Sequence, residues 1–241
     1  SEFFKSLGLD RKYLDYMALE YAKLKPNTRV ITLHPARDPN KEAETLNKIY
    51  STVPVVYDST LSLTESGFTN YISQLYFGEP WLTQNPLVGA SSKSRLCWGD
   101  KQTLDSLKDE LRASYGIDKS SLHINDTHEE TIRIARVVFN PNSVKFLNTC
   151  DSNLSKKLME GLRAYTEILN HYKLNHELFC ITGSAIMSLF GLRECSDLDY
   201  LHFDPQHVIQ GSDYINSHEK ELSKYPRHKD DIIFNPNNHF F

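Results

Sequence analysis

Paired cysteines and long apolar runs are both missing from this sequence. Its four cysteines show no Cys-x-x-Cys spacing, so neither a disulfide framework nor a zinc site is indicated, and we expect the reduced thiols of a cytoplasmic protein. No apolar run approaches the roughly 20 residues that a membrane-spanning helix needs, and the first residues contain no secretory signal. We therefore expect no membrane partner. The cysteines are Cys97, Cys150, Cys180 and Cys195.

An excess of basic charge is missing too. Lys and Arg number 27 against 31 Asp and Glu, which gives a net charge of −4. Proteins that grip long nucleic acids normally carry a basic surface, so no such partner is expected. Hydrophobic residues make up 39% of the 241 positions and charged residues 24%, a composition that supports a folded core and excludes a disordered chain.

Strand-like and helix-like segments alternate along the first part of the chain, which predicts an α/β region with a mostly parallel sheet. A change in composition at residues 148–155 predicts a domain boundary. We expect an α/β domain over 1–150, with acceptor binding as its candidate role, and an α+β domain with a mixed sheet over 151–241, cut short at its C-terminus. Residues 78–100 are expected to form a loop. The predicted strands are 29–35, 54–59, 121–126, 143–149, 177–182, 196–203 and 230–234.

The stretch ITGSAIMSLFGLRECSDLDYLHF carries a pattern typical of phosphate chemistry. An apolar strand ends at Gly183, which permits a tight turn, and Ser184 begins a short apolar helix whose backbone N–H groups suit a phosphate. In the next strand Asp197 and Asp199 are two residues apart, so their carboxylates lie on the same side of the sheet. Two such carboxylates repel each other, and hard divalent cations prefer carboxylate oxygens together with substrate phosphates. The pattern predicts a Mg²⁺ (or Mn²⁺) site beside a phosphate-binding turn.

An apolar strand, Gly-Ser, a short helix and Asp-x-Asp in a second apolar strand resemble the nucleotidyltransferase superfamily, which has the polymerase-β-like fold. The resemblance covers residues 177–203. It implies a nucleotide whose phosphates lie on the Gly-Ser turn and a divalent metal bound by the two strand carboxylates. The matching residues are Gly183 and Ser184 for the nucleotide and Asp197 and Asp199 for the metal.

The family also uses a third carboxylate on a later strand, as general base or further metal ligand. Asp231 is our candidate for this catalytic role and Asp230 is the next. A position beyond Phe241, or no third carboxylate at all, remains open. Arg193, in the loop before the Asp-x-Asp strand, is a candidate for neutralising nucleotide charge.

The function that follows is transfer of a nucleotidyl group from a nucleoside triphosphate (NTP) to a small-molecule, sugar or protein acceptor. Two alternatives stay open. Asp-x-Asp also serves glycosyltransferases, where it holds a metal and a nucleotide sugar, and the domain could bind a nucleotide or partner without catalysis. The motif can also be structural, because Asp-x-Asp is short and arises by chance.

Two further groups of residues are candidates for substrate binding in the first domain. His123, Asp126 and His128 lie at the end of a predicted strand, where α/β sheets bind ligands. Thr127 and Glu130 form a T-x-x-E capping box there, and helix capping is the stronger interpretation.

Arg37 lies in a predicted exposed loop with His34 and is a candidate phosphate ligand, although a plain surface loop is the more frequent outcome. Lys93 and Arg95, in the Ser-rich segment GASSKSR, are expected on a loop that folds over an anionic substrate.

Overall fold

The computed structural model describes residues 8, 10–35, 37–75, 91–150, 154–203, 209 and 213–241. The chain divides into two compact units, Ser1–Asn148 with Phe240–Phe241, and Thr149–His239. This division lies close to the boundary predicted between residues 150 and 151. None of the helices in the described ranges has the length and apolar content that crossing a membrane requires.

Helices and strands alternate through the first unit, and local sequence signals set their ends. The carboxylate of Asp100 accepts a hydrogen bond from Thr103 N at 2.9 Å and so caps one helix, which ends at the left-handed Gly116 with φ +70°. The elements are α1 (Arg11–Leu24), β1 (Thr28–Leu33), α2 (Glu42–Thr52), β2 (Val55–Ser62), α3 (Glu65–Leu75), β3 (Ser91–Trp98), α4 (Lys101–Tyr115), β4 (Leu122–Ile124), α5 (His128–Val138) and α6 (Pro141–Thr149).

The four strands described for this unit form one antiparallel sheet in the order β2-β3-β1-β4. The α/β class is confirmed, but the prediction of a mostly parallel sheet is wrong here. β1 and β2 do run in the same direction, as a helical crossover requires, and β3 lies between them with the opposite direction. The arrangement is a split βαβ unit.

Apolar side chains cover both faces of this sheet, which explains why β1 is buried along almost its whole length. One face packs against α1, α3 and α5 through residues such as Val30, Phe68 and Ile134. The other face packs against α2 and α4 through residues such as Ile31 and Leu107. A strand that is covered on both faces has a nearly continuous run of apolar residues in its sequence. Such runs are typical of parallel sheets, which is why the sequence predicted one.

The second unit is built on a smaller, mixed sheet in the order β5-β6-β7. β5 and β6 are antiparallel, whereas β6 and β7 are parallel. The central strand β6 is buried throughout, and Tyr200 on it packs against Tyr165 at a ring distance of 5.7 Å. The elements are α7 (Lys156–His171), β5 (Phe179–Thr182), α8 (Ser184–Leu189), β6 (Leu198–His202), β7 (Ile215–Ser217) and α9 (Lys229–Phe234).

Three predicted segments have a different structure. Residues 143–149 belong to helix α6 rather than a strand, because the Asn140 side chain accepts hydrogen bonds from Asn142 N and Ser143 N and starts the helix at Pro141. Residues 230–234 belong to helix α9, also not a strand. The predicted loop over 78–100 contains strand β3; its residues 78–90 lie outside the described residues.

The buried imidazole of His34 gives the first unit a predicted acid sensitivity. His34 has no solvent exposure, and burial, reinforced by the charges of His123, Arg37 and Arg112, lowers the pKa of His34 to about 3. An unfolded histidine has a pKa of about 6.5, so below that pH the unfolded state binds a proton that the folded state excludes. Stability is complete above about pH 6.5 and falls with pH through this window.

We expect the unfolding free energy of the first unit to fall by roughly 2 kcal/mol between pH 7 and pH 5. Urea unfolding followed by tryptophan fluorescence measures it, because both tryptophans lie within residues 1–148. His34→Gln should flatten this dependence, and His171→Gln, at an exposed site in the second unit, should leave it unchanged. Equal pH slopes in the wild type and His34→Gln would contradict the assignment.

Candidate functional site

The two carboxylates of the Asp-x-Asp motif enter the site from the central strand of the second sheet. Asp199 lies opposite Thr182 on β5 and opposite Asn216 on β7. Its side chain is only 8% exposed. Asp197 immediately precedes β6 and is half-buried. Because the central strand carries the motif, neighbouring strands supply side chains to it from both sides.

The Gly-Ser turn contacts the second of these carboxylates. Gly183 has φ +67° and ψ −140°, a conformation that glycine adopts and other residues avoid. A Cβ atom built on Gly183 would lie 2.6 Å from Asp199 Oδ2. Ser184 begins α8 directly after the turn, and α8 has only six residues, so its dipole contributes little. The close approach of the turn to the carboxylate is therefore the main feature of the site.

Hydrogen bonds orient Asp197, and electrostatics link it to Asp199. Asp197 accepts hydrogen bonds from Ser196 Oγ at 2.9 Å and Asn216 Nδ2 at 3.3 Å. Burial raises the pKa of Asp199; His218 opposes this rise, while the negative charges of Asp197 and Glu221 add to it. The cluster therefore has an unfavourable concentration of negative charge that a cation would relieve.

The loop before Asp197 is held from the side of α7. Lys157 Nζ donates a hydrogen bond to Ser196 O at 2.7 Å and lies 4.9 Å from the centre of the Tyr214 ring. Gly161 permits the Tyr214 ring to pack against α7, because a Cβ there would lie 2.0 Å from Tyr214 Cε1. Lys157, at an exposed position of α7, thus helps to fix the motif.

Sequence reasoning did not identify two residues that the structure brings to Asp199. His218, which follows β7, places Nε2 at 2.9 Å from Asp199 Oδ1. Tyr225 places its hydroxyl at 2.9 Å from His218 Nδ1 and at 2.9 Å from Thr182 Oγ1. The available signal was a histidine just after a strand that neighbours the Asp-x-Asp strand, and no local motif marks it.

Asp231 is not on a strand. It lies in the first turn of α9, where its carboxylate contacts Arg227 at 3.1 Å and accepts hydrogen bonds from the side chains of Asn235 and Asn238. These hydrogen bonds, first that from Asn235, lower the pKa of Asp231. The helix also contains Asp230. The predicted strand position for a third carboxylate is therefore wrong.

Arg193 lies in the exposed connection between α8 and β6. Its Nε donates a hydrogen bond to the Glu194 carbonyl at 3.3 Å. No contact between Arg193 and the two carboxylates is present among the described residues.

The helix-capping interpretation holds for the cluster at the start of α5. Thr127 Oγ1 accepts a hydrogen bond from Glu130 N at 3.1 Å, and Glu130 Oε2 accepts one from Asp126 N at 3.0 Å. Glu130 also contacts His123 Nε2 at 3.2 Å, and His128 Nε2 lies 3.2 Å from Lys23 O. Lys108 forms an ion pair with Asp126 at 2.9 Å.

The cationic residues proposed as phosphate ligands in the first unit are paired with acids. Arg37 and His34 are both buried, which contradicts their predicted exposure. Arg37 donates to Glu42 Oε2 at 2.6 Å, and Lys93 also pairs with Glu42. Arg95 lies on β3, buried, with an ion pair to Asp58 at 2.8 Å. Strand formation by β3 places Lys93 and Arg95 on a sheet rather than on a flexible loop.

The second unit offers a divalent cation two carboxylates. Among the described residues, no three His, Cys, Asp or Glu side chains come together in a metal-binding group. Asp197 and Asp199 supply two carboxylates, and Asp199 Oδ1 is buried without a well-aligned hydrogen bond. Mg²⁺ typically uses one or two protein carboxylates, with waters and substrate phosphates completing its octahedron. Asp197 and Asp199 fit that mode of binding, in which the protein supplies only some of the ligands of the metal.

Comparison with known proteins adds little to this geometry. No protein-family model matches the chain, and no curated protein matches it. Among solved structures, a nucleoside diphosphate kinase from Aquifex aeolicus is similar at a TM-score of 0.37 and 13% identity, over 46% of this chain and 92% of that one. A similarity at this level carries no argument about function.

Proposed function

We propose that the second unit binds an NTP with a divalent cation and transfers its nucleotidyl group to an acceptor. The observation that supports this most is the contact between the Gly183 turn and Asp199 Oδ2, marked by the 2.6 Å approach of a built Cβ. In this arrangement an exposed backbone turn, which suits a phosphate, lies beside a carboxylate oxygen, which suits the metal that accompanies the phosphate.

In this proposal Asp197 and Asp199 hold Mg²⁺ or Mn²⁺ and the turn at Gly183 and Ser184 orients the phosphates. When bound, such a metal neutralises charge on the phosphates and polarises the phosphorus that reacts. The acceptor hydroxyl gives up its proton to solvent water as its oxygen forms a bond to the α-phosphorus, and the bond from that phosphorus to the oxygen bridging to the β-phosphate breaks, so that pyrophosphate leaves. Asp231 has no role here, because Arg227 and two asparagines already engage its carboxylate.

A second candidate is nucleotide binding without catalysis. Two observations favour it. Other side chains already engage the Asp231 carboxylate, and among the described residues no third side chain joins Asp197 and Asp199 as a metal ligand. In that case the chain would bind an NTP and release no pyrophosphate with any acceptor.

Ligand-dependent melting tests the proposal and separates it from a glycosyltransferase. With Mg²⁺ present and NTP at 100 times its dissociation constant, we expect a stabilisation of about 2.7 kcal/mol, seen as a rise in Tm. Nucleotide sugars should give a smaller rise, and NTP with EDTA none. Stabilisation by nucleotide sugars alone would contradict the proposal, and a rise with NTP but no pyrophosphate release would favour the binding module.

A further inference from the structure

Asp199 is held in a closed set of side-chain contacts that links β6 to β5 and to the segment that follows β7. His218 Nε2 contacts Asp199 Oδ1 at 2.9 Å, and the Tyr225 hydroxyl contacts His218 Nδ1 at 2.9 Å. The same hydroxyl lies 2.9 Å from Thr182 Oγ1, and Thr182 is the cross-strand neighbour of Asp199. The contacts therefore run from Asp199 to His218, from His218 to Tyr225, and from Tyr225 to Thr182, which pairs with Asp199 across the sheet.

The carboxylate of Asp199, at one end of these contacts, determines which ring nitrogen of His218 carries a hydrogen. Asp199 Oδ1 has no well-aligned hydrogen bond, so its contact with His218 Nε2 is an ion-pair contact in which that nitrogen carries the hydrogen. The other ring nitrogen faces the Tyr225 hydroxyl, which also reaches the Thr182 hydroxyl and can donate or accept as needed. Both nitrogens of His218 are thereby occupied.

The consequence concerns the two oxygens of Asp199. His218 takes Oδ1, and the Gly183 turn lies against Oδ2. A carboxylate fixed at one oxygen loses little rotamer freedom when its other oxygen binds a ligand. Partners of this kind, one contact removed from the ligand, typically change metal affinity by 10–100-fold when they are removed.

We propose that His218 is a positioning residue: together with Tyr225 it fixes the Asp199 carboxylate so that Oδ2 faces the turn, ready for a divalent cation. The inference rests on the proposed function of the site, and it adds two residues that no sequence motif marks. It assigns His218 an orienting role.

Two substitutions at His218 separate this role from general packing. The amide of Gln places its nitrogen near the Nε2 position, whereas the amide of Asn reaches only the Nδ1 position. In a Mn²⁺ titration of the whole chain followed by electron paramagnetic resonance, His218→Asn should raise the dissociation constant about tenfold or more. His218→Gln should restore most of the affinity. His228→Asn, at an exposed position of the same unit, should leave it unchanged.

Parallel titration of Asp199→Asn makes the possible failures distinguishable. If Asp199→Asn weakens Mn²⁺ binding and His218→Asn does not, the positioning role is wrong and the proposed metal site stands. If the wild type and Asp199→Asn bind Mn²⁺ equally, or neither binds, both proposals are wrong. Should His218→Asn fail to fold, Tyr225→Phe carries the test, since it removes one hydroxyl; an unchanged dissociation constant there overturns the role.

Discussion

Replacing Gly183 with alanine should lower the unfolding free energy of the second unit by about 3 kcal/mol and abolish its metal-dependent affinity for NTP. Two costs add. The backbone at φ +67° and ψ −140° is a region that costs a non-glycine residue about 1–3 kcal/mol. The new methyl group would also lie 2.6 Å from Asp199 Oδ2, and overpacking typically costs about 1–3 kcal/mol. Relief of this contact requires the carboxylate to move away from the turn.

Chemical denaturation followed by circular dichroism, with NTP binding in parallel, measures both effects. Gly116→Ala is the matched control, because Gly116 has φ +70° with nothing within 4 Å of a built Cβ. It should cost only about 1 kcal/mol, from strain alone. In an Asp199→Ala background the cost of Gly183→Ala should shrink by about 1 kcal/mol or more, since the clashing oxygen is gone. Equal costs in both backgrounds would show that the turn and the carboxylate do not contact each other.

The local part of this site could be predicted from sequence because it is made by one short segment. A strand, a turn at Gly183, a short helix and a return strand bring the turn and Asp199 together whenever the two strands pair. Only the pairing of adjacent strands has to be assumed, and consecutive strands usually are neighbours. The helix cap at Thr127 could be predicted for the same reason, since it depends on residues three positions apart.

Features that depend on distant segments could not be predicted in this way. His218 and Tyr225 reach Asp199 from beyond β7, and nothing in their own neighbourhood marks them. The strand directions of the first sheet were predicted wrongly for a similar reason. β3 lies between β1 and β2, and its residues Ser91–Trp98 are polar enough to resemble a loop. Lys93 and Arg95 pair with β1 and β2 through the backbone of β3, and Glu42 and Asp58 pair with their charges.

Short amphipathic segments were a further source of error, because a run of five to seven residues does not show its period reliably. The apolar residues of 230–234 suggested a strand. The two acids in the first turn of α9 favour a helix there, since negative charge near a helix N-terminus is stabilising. Asp231 therefore lies on a helix. It does not occupy the strand position that the resemblance to the nucleotidyltransferase superfamily implied for a third carboxylate.

Asp199→Asn should remove the dependence of NTP binding on a divalent cation. The substitution keeps the shape of the side chain and removes one of the two negative charges that would bind the metal. Loss of an outer partner already costs 10–100-fold in metal affinity, so loss of this ligand should weaken NTP binding in Mg²⁺ by roughly 100-fold or more. Asp109→Asn, at an exposed position of α4 in the first unit, is the matched control and should bind as the wild type does.

Isothermal titration of NTP into the wild type and Asp199→Asn, each with Mg²⁺ and with EDTA, tests most directly whether the Gly-Ser turn and the two aspartates form one metal–nucleotide site. We predict tight binding in the wild type with Mg²⁺, and equally weak binding in the other three titrations. Mg²⁺-dependent binding that survives in Asp199→Asn would contradict the account.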